Sequence, residues 1–266
     1  MSISENKVSV MGLDGKEKEL ITIPHVFEIP PRLDLIERAV ISTEAAMKQP
    51  QGRDPLAGKR NTAVSWHSGH GTGRTPRRQG SGYPGSRNGA FAPNTVGGRL
   101  AHPPRSEKVL IKRINKKERR LALLSAISAT GRKDLILKRG HLINENLTLP
   151  IVIDDKIQTL KKTSQICEIF EKIGLSQELN RITEGVSIRS GKRKLRGHRL
   201  KKKKGPLIVI KEDFGIYKAA RNIPGVEIVN IVKLNCNQLA PGTHAGRLVV
   251  WSQSAFQALQ KIEVNL

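Results

Sequence analysis

The chain has 266 residues, 37% of them hydrophobic, and carries 47 Lys or Arg against 23 Asp or Glu, a formal charge of +24. That length allows one ordinary domain plus extensions. No apolar run approaches the ~18 residues of a membrane-spanning helix and no signal-peptide core opens the chain, so a soluble intracellular protein with no membrane role is expected. Cys167 and Cys236 are isolated, which argues against a zinc ribbon or a disulfide scaffold and leaves two reduced thiols, with Cys167 expected in the core.

Val8 and Val10 alternate up to an Asp14-Gly15 turn, and Leu20, Ile21 and Ile23 follow it, predicting an N-terminal hairpin. After Pro30 and Pro31 a helix is expected, with Leu33, Ile36, Val40 and Met47 on one face and Asp34 and Glu37 in its first turn. Residues 49–106 then show no hydrophobic period, yet hold 11 of the 24 Gly, 7 of the 14 Pro, nine Lys or Arg and a single acid, Asp54. Asn115 with Glu118 has the spacing of a capping box, and Leu121 to Ala129 is apolar nearly all round before Gly131, predicting a deeply buried helix. Short apolar runs follow at Ile151–Ile153, Leu207–Ile210, Val226–Val232 and Leu248–Trp251, each read as a buried strand. Between and after them, Ile166, Ile169, Phe170 and Ile173 share a helix face, Asp213 to Ala220 forms a shorter helix, and Ser252 caps Ala255, Leu259 and Ile262. This alternation predicts a single Rossmann-like α/β domain, a mostly parallel sheet flanked by helices, formed by residues 1–48 and 107–266. Residues 49–106 are then a long extended basic loop inserted between two helices, and 186–206 a second loop whose Lys201 to Lys204 repel one another into disorder without counter-charge.

The charge is confined. Residues 49–106 carry +8, residues 107–120, including Lys112 and Arg113, +5, and residues 186–206 +10, so 93 residues hold +23 while the other 173 hold +1. A near-neutral body bearing basic loops is the electrostatic footprint of phosphate binding by counterion release, hence of a nucleic-acid partner. In residues 49–106 Arg outnumbers Lys by 8 to 1, which suits bidentate phosphate contact. Trp66, Tyr83 and Phe91 lie among those arginines with no core to enter, available to stack on unpaired bases. Were the 58 residues to run out and back at ~3.3 Å each, the tip would stand up to roughly 90 Å from the body.

Other motifs lose their force in context. Gly80 to Gly85 matches GxGxxG, but no strand precedes it, Pro84 forbids a following helix and no acid stands at the required spacing. His67 and His70, with His102 in the same segment, have no Cys and one carboxylate near them in sequence, in a positive field, so they are expected to meet bases or phosphates, and no metal or cofactor is expected. Asp154 and Asp155 end a predicted strand, where a turn and a helix cap are the expected roles. No nucleophile elbow or carboxylate pair points to catalysis. Two alternatives stay open at this point: an α/β enzyme acting on RNA with the basic loops as substrate grips, and a DNA-compacting protein that binds any polyanion.

Several runs, in order and spacing, resemble one known family. They are Gly71-Thr72-Gly73-Arg74, Gly89-Ala90-Phe91-Ala92-Pro93, Gly97-Gly98-Arg99, Ala101-His102-Pro103-Pro104, Asn115-Lys116-Lys117-Glu118-Arg119-Arg120 and Arg139-Gly140-His141. Together they resemble large-subunit ribosomal protein number four in its archaeal and eukaryotic form, over essentially the whole chain. The chain ends soon after its last helix, without the extension of eukaryotic members, so the archaeal type is expected. The resemblance implies a non-enzymatic constituent of the large ribosomal subunit in the cytoplasm, a monomer within the ribosome, bound to large-subunit ribosomal RNA and neighbouring ribosomal proteins and supporting subunit assembly. It implies that the long loop threads through RNA and lines part of the polypeptide exit tunnel, where it meets the nascent polypeptide. By position, Arg74 to Gly82 would lie near the tip, with Arg74, Arg77 and Arg78 facing the tunnel. Arg53, Lys59, Arg60, Trp66, Arg87, Arg99 and Arg105 would form an RNA-gripping stem, with His67, Tyr83, Phe91 and His102 as further RNA contacts. Lys192, Arg193, Lys194, Arg196, Arg199, Lys201 and Lys202 would grip a separate RNA element.

Overall fold

A computed structural model describes residues 7–144 and 147–264, without the side chains of 261–264, so the expected burial of Ile262 lies outside the described residues. Two units are distinguished: Met1–Glu44 with Lys112–Leu266, and Ala45–Ile111. The first is an α/β unit built on a six-stranded sheet. Its strands are β1 (Lys7–Met11), β2 (Glu17–Thr22), β3 (Ile151–Ile153), β4 (Leu207–Ile210), β5 (Glu227–Asn230) and β6 (Val249–Ser252). The spatial order is β2-β1-β3-β6-β4-β5, antiparallel between β1 and β2 and parallel elsewhere. The β1–β2 turn is closed by Gly15 at φ +76°, a left-handed conformation that suits glycine.

The helices are α1 (Leu33–Ala46), α2 (Lys116–Thr130), α3 (Lys133–Arg139), α4 (Thr163–Lys172), α5 (Ser176–Glu184), the single turn α6 (Lys192–Leu195), α7 (Ile216–Ala220), α8 (Cys236–Leu239) and α9 (Gln253–Val264). They cover both faces of the sheet, which is why the strands are apolar runs with no alternation. Val152, Leu207, Val209, Val249 and Trp251 belong to one core with Ile36, Val40, Ile127, Leu239 and Phe256. Their strand neighbours Ile151, Ile153, Ile208, Ile210 and Val250 belong to the other, with Ile136, Ile166, Phe170 and Ile216. Ser252 Oγ accepts from Ala255 N at 3.4 Å, so the serine that ends β6 also starts α9.

Several expectations fail in detail. In α1 the buried stripe is Leu35, Ile36, Ala39, Val40 and Ala45, whereas Leu33 at its start and Met47, one residue past its end, are exposed. No capping box forms at α2: Asn115 holds an extended N-cap conformation without a side-chain bond, because the Glu118 carboxylate is taken by Arg38 Nη1 at 3.1 Å. A capping box forms instead at α8, between Asn235 and Gln238. The Val226–Val232 run is a strand only over Glu227–Asn230, since the Asn230 side chain accepts from Val232 N and turns the chain into a 3-10 helix. Cys167 is half-buried rather than a core thiol, because Ile166, Ile169, Phe170 and Ile173 occupy the inward face of that helical stretch. Cys236 is buried, and burial pushes its thiol up to about 11. Among the described residues no helix is long and apolar enough to cross a membrane.

Candidate nucleic-acid interface

Residues 45–111 form their unit with almost no hydrophobic core: Ala45 and Ala90 are its buried apolar residues. Order comes from backbone pairing and close glycine contacts. Arg53 N donates to Pro104 O at 3.1 Å, and Gly52 lies so near Ser106 that an added Cβ would be 3.1 Å from its nitrogen. Next, Gly58, at φ +78°, packs on the Gly98–Arg99 backbone, where a Cβ would stand 2.5 Å from Arg99 N. Further along, Ala63–Val64 pairs antiparallel with Arg77–Arg78, and Arg78 N donates to Asn88 O at 3.0 Å. These contacts nest as those of a hairpin do. Glycines let two strands of chain touch, and main-chain bonds replace the missing core.

The single acid of 49–106 is neutralised internally. The Asp54 carboxylate accepts from the Arg60 guanidinium and from Leu56 N at 3.0 Å, and the Arg60 hydrogen bond, foremost, holds it below its usual range. Four of the expected stem cations, Arg53, Lys59, Arg99 and Arg105, converge on one cavity of about 440 Å³. Arg74, Arg78 and Arg87 are exposed, while Arg77 is half-buried in the ladder and donates from Nη1 to Arg87 O at 3.0 Å. The aromatic residues are partly engaged. Phe91 lies under the Arg99 guanidinium at 5.4 Å, Trp66 meets the His70 ring edge-on at 6.0 Å, and exposed Tyr83 donates its hydroxyl to Gln79 O at 2.8 Å. His67, His70 and His102 are exposed, and among the described residues no group of three or more His, Cys, Asp or Glu is placed to hold a metal ion. Gly80 to Gly85 forms turns with no helix after it, so the glycine motif has no phosphate-binding context.

In the α/β unit, residues 186–206 are not a structureless loop. Ser187–Ile188 pairs with Leu200–Lys201, and α6 turns between them, so the stretch is a hairpin. Its backbone pairing overcomes the side-chain repulsion, and Lys192, Arg193, Lys194, Arg196, Arg199, Lys201 and Lys202 all remain exposed. Lys112 and Arg113 are exposed as well, and Ser42 Oγ fixes the backbone there by donating to Lys112 O at 2.5 Å.

The sequence model of the ribosomal protein L4/L1 family matches residues 21–262. The chain belongs to that family. Among similar proteins, the large ribosomal subunit protein uL4 of Methanosphaera stadtmanae is 47% identical over 253 residues, 95% of this chain and 96% of its own length. Its counterparts in Sulfurisphaera tokodaii, 43% identical over 262 residues (98% and 96%), and Methanopyrus kandleri, 42% over 252 residues (95% and 97%), are alike in extent. All three organisms are archaea, in agreement with the type expected from the sequence. The L4/L1 family is structural and non-enzymatic.

In this L4/L1 member the base of the basic hairpin is held by buried charges that sequence reading missed. Arg247, with no exposure, donates to Gly205 O at 2.8 Å, to Gln238 O at 2.8 Å and to Glu227 Oε2 at 2.7 Å; Lys204 also pairs with Glu227. Arg181 donates to Lys204 O at 3.2 Å and, through Nε and Nη2, to the buried Glu178 carboxylate at 2.7 and 2.6 Å. His141 Nδ1 completes that carboxylate's partners at 2.6 Å, with Leu142 N at 2.9 Å. Burial raises the Glu178 pKa, but hydrogen bonds from Arg181 and His141 outweigh it and leave the group below its ordinary range. Arg139 donates to the Pro241 and His244 carbonyls, and burial lowers it to about 10. Of these, only the Arg139-Gly140-His141 run carried a signal in the sequence, and its reason is now local: Gly140, at φ +89°, ends α3 and turns His141 toward Glu178. The two strand-end carboxylates have structural partners. Asp154 accepts from Lys18 Nζ at 2.5 Å and Lys156 N at 3.3 Å, and Asp155 accepts from Ser254 N at 3.0 Å and Oγ at 2.7 Å.

Proposed function

We propose that this chain is a structural constituent of the large ribosomal subunit that binds large-subunit ribosomal RNA through residues 49–106, 107–120 and 186–206. The observation that carries the reading is the separation of charge: +23 of the +24 lies in those stretches, with nine of the ten cations of the basic hairpin exposed on a clamped base. Such a surface suits phosphate, whose binding releases counterions, and the arginine-rich segment adds bidentate and stacking contacts. Residues 49–106 would reach into the RNA as a long loop and line part of the polypeptide exit tunnel, with Arg74 and Arg78 exposed toward the nascent chain and Arg77 bracing the ladder beneath them. Neighbouring ribosomal proteins would contact the α/β body, and the protein would serve as a monomer within the cytoplasmic ribosome.

Footprinting on large-subunit RNA tests this. Gly52 and Ser106 touch, so a short Gly-Ser linker replaces 53–105 without stretching the body. Protection is expected to shrink to the parts given by 107–120 and 186–206 while the body melts cooperatively; unchanged protection would exclude a binding role for the segment. Equal affinity for duplex DNA and structured RNA at matched salt would favour a DNA-compacting protein instead. For the tunnel, a photo-crosslinker at Arg74 or Arg78 should capture a stalled nascent chain, and capture from Lys192 alone would place the tunnel contact elsewhere.

A further inference from the structure

We propose that the cavity lined by Arg53, Lys59, Arg99 and Arg105 accepts one unstacked nucleotide of the RNA, base first, rather than only a stretch of phosphate backbone. The inference rests on the reading of residues 49–106 as RNA-binding and adds its mode. Four cations converge there against two acids, Asp54 and Glu107, and Asp54 is already committed to Arg60 and Leu56 N. The positive excess calls for an anionic ligand, and concavity concentrates its field. Apart from Ser106, the rest of the lining is apolar and rich in proline: Pro55, Pro103, Pro104, Ala57, Leu100 and Ala101. A phosphate alone has no use for such a floor, whereas a base presents a flat apolar face that packs on proline rings while its phosphate meets the cations. The volume, about 440 Å³, falls within the ~300–1,000 Å³ of small-ligand sites.

The walls are fixed before any ligand arrives. Arg53 N bonds Pro104 O, Gly58 is wedged against Gly98 and Arg99, and the Arg99 guanidinium is held over Phe91. A preformed cavity spares the ordering cost of a flexible grip.

The full-length protein is titrated, at one salt concentration, with two RNA hairpins of equal phosphate number, one fully paired and one with a single-nucleotide bulge. The bulged hairpin is expected to bind about tenfold more tightly, the scale of one stacked base. Ala101→Leu fills the cavity without changing charge, and should abolish that preference while leaving affinity for the paired hairpin as it was. Equal binding of both hairpins by the wild type overturns the inference whether or not the variant folds, and so does a preference that survives Ala101→Leu. Adenosine monophosphate should displace the bulged RNA better than inorganic phosphate; equal displacement would reduce the cavity to a simple anion site and overturn the nucleotide assignment. Failure to bind either RNA is a different result, which overturns the RNA-binding reading itself.

Discussion

Replacing Arg247 with methionine separates a clamp from a bystander. Methionine keeps an unbranched side chain but removes the donors that reach Gly205 O and Gln238 O, both at 2.8 Å. Each buried carbonyl left without a donor costs about 1–3 kcal/mol. Glu227 keeps Lys204, so its charge is not stranded. Against this loss stands a gain. Arg247 is wholly buried, its Nη2 has no partner and burial lowers its pKa, so removing the guanidinium recovers part of a desolvation cost. The net expectation is a destabilisation of about 2–3 kcal/mol, or roughly 5–12 °C in Tm for a domain of this size. Calorimetry reads the melting, and hydrogen exchange reads the clamp itself, since the Gly205 amide, bonded to Gly225 O at 2.9 Å, should exchange faster. Unchanged Tm with unchanged Gly205 protection would refute the claim that Arg247 holds the base of the basic hairpin.

Two other changes follow from named contacts. Glu178→Gln leaves Arg181 without its bidentate carboxylate and should cost about 3 kcal/mol at pH 7. In the wild type, Glu178 titrates below the ordinary glutamate value of 4.5, so its stabilisation is complete above that value and is lost as the pH falls through the lower folded value. His141, lowered from 6.5 chiefly by burial and only partly restored by Glu178, makes stability decline already below pH 6.5. Urea titrations across pH should show that decline, with a shallower slope below 4.5 in the variant; a flat wild-type profile between pH 7 and 4 would contradict both assignments. Gly58→Ala places a Cβ 2.5 Å from Arg99 N at φ +78°, and should cost about 1–3 kcal/mol locally, read as faster proteolysis within 49–106 and weaker RNA binding. Gly73→Ala, where a Cβ meets nothing within 4 Å, is the matched control and should stay within about 0.5 kcal/mol.

The parallel sheet was readable because its strands are buried on both faces and their apolar runs need no alternation. Helix faces were readable where the period was dense, as in Ile166, Ile169 and Phe170, and misread at the ends of α1, where Leu33 and Met47 fit the period but lie outside the packed stripe. The α2 capping box failed for a related reason: spacing supplies candidates, but Glu118 had a competing partner 80 residues away in Arg38. Hairpin order in 186–206 was hidden because four consecutive lysines advertise repulsion, while the bonds that overcome it are main-chain ones.

What the sequence determined alone is the partition between a neutral α/β body and its basic segments, because charge and hydrophobic period are sums over local residues and survive any arrangement of the rest. What the tertiary structure decided is which charges are surface and which are skeleton. Arg99 and Lys192 look no different from Arg181 and Arg247 along the chain. Two lie on candidate RNA-binding surfaces, and two are held inside by Glu178 and by Gly205, Gln238 and Glu227. Only the meeting of distant segments supplies the acceptors that make a buried guanidinium tolerable.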